Sequence, residues 1–256
     1  MAALTPHPDV NNLLADLLVQ VAAILGQELV GFYVDGSLAL GDFDPATSDV
    51  DFIAAVKHPL PADTVEALAT MHRHITLSGR PFATELEGSY IHLAALRRHD
   101  PNDALHPNIE RGIDEVLRPK EHHSDWVIHR HIAREHGLTL CGPPAAALIV
   151  PVSSDDIRRA TAGVLRSWWG TTDAADSIRR VHPIGLAYIA LTMCRALYAL
   201  EYGDVVSKPA AAEWALASQD ARWHTLIKRS LRWDMSETMR AETAAFVRAV
   251  ASKASL

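Results

Sequence analysis

Two apolar runs bracket a turn-rich loop early in the chain, and that arrangement constrains the fold more than any other feature. Leu29–Val34 ends at Asp35-Gly36-Ser37, a loop rich in Gly, Asp and Pro follows, and Val50–Val56 opens behind Asp49 with the alternation Asp49-Val50-Asp51. Runs of this length bounded by turn residues predict two buried strands. A strand has a side-chain period of two, so Asp49 and Asp51 project from one face. Carboxylates that close repel unless a cation neutralises them. Hard oxygen donors at this spacing suit Mg²⁺, which takes one or two protein carboxylates and fills its shell with water and phosphate oxygens. Gly36 lets the backbone approach a phosphate closely, and Ser37 adds an N–H and a hydroxyl. A solvated loop is the plainer alternative, but carboxylates are poor strand residues and here two flank Val50 at the head of an apolar strand. The pattern implies a site for a nucleoside triphosphate and its metal.

The rest of the chain narrows the class of partner. Its 256 residues can bury a real core in one large domain or two ordinary ones. A formal charge of −7 argues against nucleic acid, since backbone phosphates demand clustered Lys and Arg, and is compatible with a cationic substrate. Cys141 and Cys194 give neither a disulfide framework nor metal spacing, which predicts a reducing, cytoplasmic setting. Pro6, Pro8 and Asp9 stand where a signal peptide would need basic and apolar regions. No apolar run is read as approaching the roughly 20 residues of a membrane span. The expectation is a monomer or small homo-oligomer without membrane or nucleic-acid partners.

Periodicity organises the remainder. Residues 9–28 carry a helical stripe, Pro61 starts a helix running to about Leu77, and residues 82–96 alternate as a strand with Glu85, Glu87, Ser89 and Ile91 on one face. Residues 100–108, with two prolines, read as a loop; Trp126–His136 is a helix closed by Gly137, and an extended piece follows. Beyond Pro151 only helices are predicted, over 155–169, 183–202, 209–217 and 236–254. These elements predict an α+β chain with a first domain over 1–150 and an all-helical domain over 151–256.

Candidate groups accompany the opening motif. Transfer to a hydroxyl needs a base, and either Glu85 or Glu87 could serve on residue chemistry alone. His122, His123, His129 and His131 resemble a metal cluster, but no Cys or acid completes a tetrahedral set. Trp126 reads as a core residue of its helix and Trp168-Trp169 as core or interface.

Gly36-Ser37, Asp49-Val-Asp51 and Glu87 together resemble the polymerase-β-type nucleotidyltransferase superfamily. Four further segments are similar to the aminoglycoside adenylyltransferases that modify streptomycin and spectinomycin. They are Leu86-Glu-Gly-Ser-Tyr-Ile91, Ala133-Arg-Glu-His-Gly-Leu-Thr-Leu-Cys-Gly-Pro143, Leu191-Thr-Met-Cys-Arg-Ala-Leu-Tyr198 and Val206-Ser-Lys-Pro-Ala-Ala-Ala-Glu-Trp214. The resemblance implies a mixed-sheet nucleotidyltransferase domain, a helical bundle domain and an active site between them. It implies ATP as co-substrate, Mg²⁺ held by Asp49 and Asp51 with Glu87, and Glu87 as the base. Gly36, Ser37, Arg195 and Lys208 would contact the nucleotide phosphates. Cations suit that place because the leaving pyrophosphate gathers charge.

The acceptor side departs from that family. No tryptophan of residues 108–123 corresponds to the one that packs on the drug, and Arg179 and Arg180 stand where acids are expected. Asp173 and Asp176, slightly earlier, are the substitute candidates for holding a cationic antibiotic. A protein acceptor and a non-catalytic nucleotide-binding regulator are the alternatives.

Overall fold

The computed structural model describes residues 4–170 and 178–254. Contacts divide the chain into two compact units, Met1–Pro151 and Val152–Leu256.

The first unit is built on a six-stranded sheet of order β5-β4-β3-β2-β1-β6. Its strands are β1 (Leu29–Val34), β2 (Val50–Val56), β3 (Leu86–His92), β4 (Leu105–Ile109), β5 (Arg118–Glu121) and β6 (Leu138–Cys141). β2 and β3 run parallel, and every other neighbouring pair is antiparallel. A parallel pair needs a crossover, supplied by helix α3 (Ala62–Thr76). Helix α1 (Pro8–Leu25) begins with proline at its first turn, where the missing N–H costs nothing. Its stripe of Val10, Leu13, Leu14, Leu17, Val21 and Leu25 is buried with Leu68, Met71 and Ile75 of α3 against Phe32, Val50, Phe52, Ala54 and Leu86 of the sheet. Each such side chain taken from water contributes roughly 1.5–3 kcal/mol, so this face holds the unit together. His72 of α3 is buried in the same layer, its Nε2 2.8 Å from the Tyr90 hydroxyl. Burial pushes its pKa down to about 3, so it is neutral there.

The opposite face carries a smaller cluster of Tyr33, Ile53, Ala55 and Ile91 with residues of α4 (Leu93–Arg97), α5 (Asp125–His136) and α6 (Ala145–Leu148). Between β1 and β2 lies only a single short helical turn, α2 (Gly36–Ala39), and the loop that follows it.

Two expectations need correction. The strand alternation over 82–96 holds only for Leu86–His92, because residues 81–84 form turns and the chain coils into α4 at Leu93. The segment expected as a loop over 100–108 contains β4, which pairs with the unpredicted β5 in a register that sets Pro107 opposite Pro119. Both strands are short; β5 is the sheet edge, where proline is tolerated, and Pro107 of the inner strand β4 lies outside the short register it shares with β3. Neither leaves an apolar alternation to read.

The second unit is helical among the described residues: α7 (Ser154–Val164), α8 (Pro183–Tyr202), α9 (Lys208–Ser218), α10 (His224–Leu231) and α11 (Arg240–Lys253). A capping box of Ser153 and Asp156 starts α7, and a π-helical turn over Leu165–Trp169 ends it. α8 is central: Leu186, Ala187, Ala190, Met193 and Cys194 are fully buried, and Ala211, Ala212 and Ala215 of α9 pack into the same core. Gly203 closes α8 in the left-handed region (φ 63°), where a Cβ would strike Ser154. α10, which was not expected, buries Leu226 and Ile227 beneath its basic face. Pro8–Glu28 and Pro183–Tyr202 are long and apolar enough to cross a membrane by length and composition, which corrects the reading that no run approaches that length; here their apolar stripes serve the two cores.

Candidate active site

The parallel pairing of β2 and β3 places Asp51 directly beside Glu87, with Val50 beside Leu86 and Phe52 beside Gly88. Alternation sends Val50 and Phe52 into the α1–α3 core, which turns Asp51 and Glu87 to the other face. Two carboxylates remote in sequence become neighbours because a parallel register is set by the apolar faces.

The turn after β1 closes the site from the side. Asp35 N–H donates to the Asp51 carbonyl at 3.2 Å, Gly36 adopts φ 60°, and a Cβ on it would overlap the Asp51 carboxylate. Only glycine fits there. Among the described residues the Ser37 hydroxyl is buried without a partner, which leaves it able to bond a ligand.

Four carboxylates converge. Burial, then the charges of Asp35, Glu87 and Asp49, hold the Asp51 carboxyl well above the usual range. Glu87 is also raised, by burial and then by Asp49. Asp49, just before β2, forms an ion pair with Arg111 Nη1, while Arg111 Nε lies 3.4 Å from Glu85. Glu85 therefore holds a guanidinium, whereas Glu87 lines the pocket. That small cavity, about 40 Å³, is lined by Asp35, Asp51, Glu87, Asn108, Lys120, Asp125, Trp126 and His129.

The donor chemistry fits a hard divalent cation: closely packed oxygen ligands whose mutual repulsion raises their proton affinity. Among the described residues no three His, Cys, Asp or Glu side chains already stand as a complete metal-holding group; Asp49 is engaged by Arg111.

The histidines do not form a metal cluster. His122 is buried, stacks on Trp126 with ring centroids 3.4 Å apart, and places Nε2 2.8 Å from Ser89 Oγ; burial drives its pKa down strongly. His129 Nδ1 lies 3.1 Å from Asp35 Oδ2. Burial alone would lower this histidine, but the hydrogen bond it donates to Asp35 and the charges of Asp35, Asp125 and Asp51 lift it to about 9. Trp126 is buried as expected, and it also lines the carboxylate pocket.

Arg195 lies in α8 and Lys208 begins α9 in the second unit, where the Lys208 ammonium sits 3.8 Å from the Tyr188 ring centroid. Asp173 and Asp176 lie outside the described residues. Residue reasoning missed Asp35, Arg111, Lys120 and His129 as members of the site. Asp35 was signalled only by its place before Gly36-Ser37, and His129 by a histidine cluster whose purpose differs from metal binding.

Both parts of the chain are similar to known proteins. Residues 147–255 match the family model described as aminoglycoside adenylyltransferase, C-terminal domain. Over 208 residues the chain is 27% identical to a spectinomycin 9-adenylyltransferase of Staphylococcus aureus, covering 77% of this chain and 74% of that protein. An aminoglycoside (3'') (9) adenylyltransferase of Klebsiella pneumoniae is 33% identical over 112 residues, 44% of this chain and 40% of that one. The crystal structure of spectinomycin adenyltransferase AAD(9) from Enterococcus faecialis with ATP and spectinomycin superposes with a TM-score of 0.73 at 16% identity, covering 96% of this chain and 99% of that chain. The shared fold bears out the expected α+β class, with a mixed sheet in the first unit and helices in the second.

Proposed function

We propose, from the premise that this chain belongs to the aminoglycoside adenylyltransferase family, that it moves AMP from ATP to a hydroxyl of a spectinomycin- or streptomycin-type antibiotic. The reaction releases pyrophosphate and depends on Mg²⁺. The observation that carries this reading is the Asp51–Glu87 register pair beside the Gly36-Ser37 turn.

In the reaction the acceptor oxygen bonds to the α-phosphorus, the bond to pyrophosphate breaks, and the hydroxyl proton passes to Glu87. Burial makes Glu87 a stronger base than an exposed carboxylate. Asp49 and Asp51, with Glu87, are the residues that would hold Mg²⁺, which when bound supplies the charge that neutralises the phosphates. Ser37 offers its N–H and its unpartnered hydroxyl to a phosphate. Arg195 and Lys208 are assigned by family likeness to the triphosphate, and Asp173 and Asp176 to the cationic groups of the acceptor. The acidic lining of the pocket, with Asp35, Asp51, Glu87 and Asp125, favours an aminated acceptor over a neutral one. A cytoplasmic setting supplies ATP and keeps Cys141 and Cys194 reduced.

The test is pyrophosphate release from ATP with a panel of aminoglycosides and spectinomycin. Release with spectinomycin or streptomycin, abolished by EDTA and restored by Mg²⁺, is expected. Silence across the panel would overturn the acceptor assignment and leave a protein acceptor as the class to test next.

A further inference from the structure

The turn that carries Gly36 and Ser37 is held from two sides. β2 holds it through the Asp35 N–H bond to the Asp51 carbonyl and the close seat of Gly36 on the Asp51 side chain. α5 holds it through His129, whose Nδ1 meets the Asp35 carboxylate at 3.1 Å. That carboxylate is 3% exposed. The His129 ring is itself confined: it lies 4.8 Å from the Trp126 ring, Trp126 stacks on His122, and His122 reaches Ser89 Oγ on β3. Ser89 in turn accepts from Asn108 Nδ2 at 2.7 Å. A continuous set of contacts thus runs from the sheet through α5 to the turn.

Neither Asp35 nor His129 takes part in the bond changes or the proton transfer proposed above; Asp35 only adds its charge to the acidic lining. A carboxylate at position 35 is also an expensive choice, because it is buried and adds to the repulsion on Asp51. An apolar residue of similar volume would fill the space without that cost, so a pair with a buried carboxylate and a part-exposed imidazole is poorly explained as a source of stability alone. What the pair does provide is direction. A hydrogen-bonded ion pair has a defined geometry that apolar packing lacks, and its carboxylate end belongs to the residue preceding Gly36-Ser37.

We propose that Asp35 and His129 are positioning residues that lock the Gly36-Ser37 turn to α5 and so orient its N–H and hydroxyl groups toward the nucleotide phosphates. This rests on the nucleotide site proposed above. The pair governs nucleotide capture, while proton removal stays with Glu87.

The experiment compares H129L, H129N, D35L/H129L and the parent protein. The Mg²⁺ complex of the non-transferable analogue α,β-methylene-ATP is titrated calorimetrically, and KM for ATP, kcat and melting temperature are measured. Loss of a part-buried charged hydrogen bond that holds the turn predicts nucleotide affinity weaker by about tenfold or more in H129L and D35L/H129L. KM for ATP rises in step, and kcat at saturation changes far less. The double variant recovers melting temperature relative to H129L without recovering affinity. H129N, whose side-chain amide can donate to Asp35, recovers most of the affinity. Parent-like nucleotide affinity in D35L/H129L, or a fall in kcat alone, overturns the proposal. Failure of the parent protein itself to bind the analogue removes the nucleotide site and this inference with it, which is a separate result. Should the leucine variants not fold, the His129 imidazole resonances of the parent decide. A shift on adding the analogue is expected, and unmoved resonances count against the proposal.

Discussion

The two faces of the sheet in the first unit are made from the same strands and obey opposite rules. Val50, Phe52, Ala54 and Val56 of β2 turn toward α1 and α3 and are fully buried among apolar neighbours. Asp51, one residue out of phase, turns toward α5 together with Glu87, Ser89 and Asn108 and joins a network of carboxylates, imidazoles and amides. The first face gains free energy from removing apolar surface from water. The second contains repelling charges and buried polar atoms without partners among the described residues, Asn108 Oδ1 and His122 Nδ1 included. The stability of one face holds the other in an arrangement that its own interactions would not select.

The sharpest break of that contrast is Glu87→Gln. It is expected to cut AMP transfer by roughly 10²–10⁴, the range for a lost general base, while leaving nucleotide binding and melting temperature near the parent values. Glu85→Gln, at a side chain that accepts from Thr84 Oγ1 and pairs with Arg111, should retain most turnover; the reverse pattern would reassign the base. Phe52→Ala, one residue from Asp51, should do the opposite. It is expected to destabilise the fold by about 3–5 kcal/mol in urea unfolding, as for other large-to-small core changes.

Acidification tests the apolar face through His72. Its pKa is pushed down to about 3 by burial, so the folded chain keeps the ring neutral while the unfolded chain takes up a proton below about 6.5. The penalty is absent above pH 6.5 and grows as the pH falls toward 3. Between pH 6.5 and 4.5 the loss attributable to this residue is on the order of 2–3 kcal/mol, read as a shallower decline in His72→Gln. His106, lowered to about 4 by burial and then by the Arg130 and His92 charges, adds a decline of the same sign that persists in that variant.

The smallest effect belongs to the rim. Arg111 is about half exposed where it meets Asp49 and Glu85, and exposed pairs contribute about 0–1 kcal/mol. Arg111→Ala should therefore leave thermal unfolding nearly unchanged. A large loss of stability would show that the rim, and not only the core face, holds the carboxylates in place.

Strong local periodicity was legible in the residues. β1, β2, α3, α5 and the long helix over 183–202 stand where apolar spacing and turn residues place them. β4 and β5 were not legible, because Leu105-His-Pro-Asn-Ile109 and Arg118-Pro-Lys-Glu121 carry no alternation and owe their extended form to neighbouring strands. Within the site, Gly36, Ser37, Asp49 and Asp51 announce themselves by closeness along the chain. Arg111, Lys120 and His129 do not, since each reaches the carboxylates from a distant segment.

By itself the sequence determined the Gly36-Ser37 turn, the paired aspartates and the division between strand-bearing and helical halves, because those depend on neighbours within a few positions. Only the tertiary structure decided that Glu87 rather than Glu85 lies beside Asp51, that Arg111 stands on Asp49, and that Asp35 has His129 for a partner. Those choices follow from the parallel register of β2 and β3 and from the packing of α5 against the turn. Burial of the apolar faces sets both, and no local spacing encodes either.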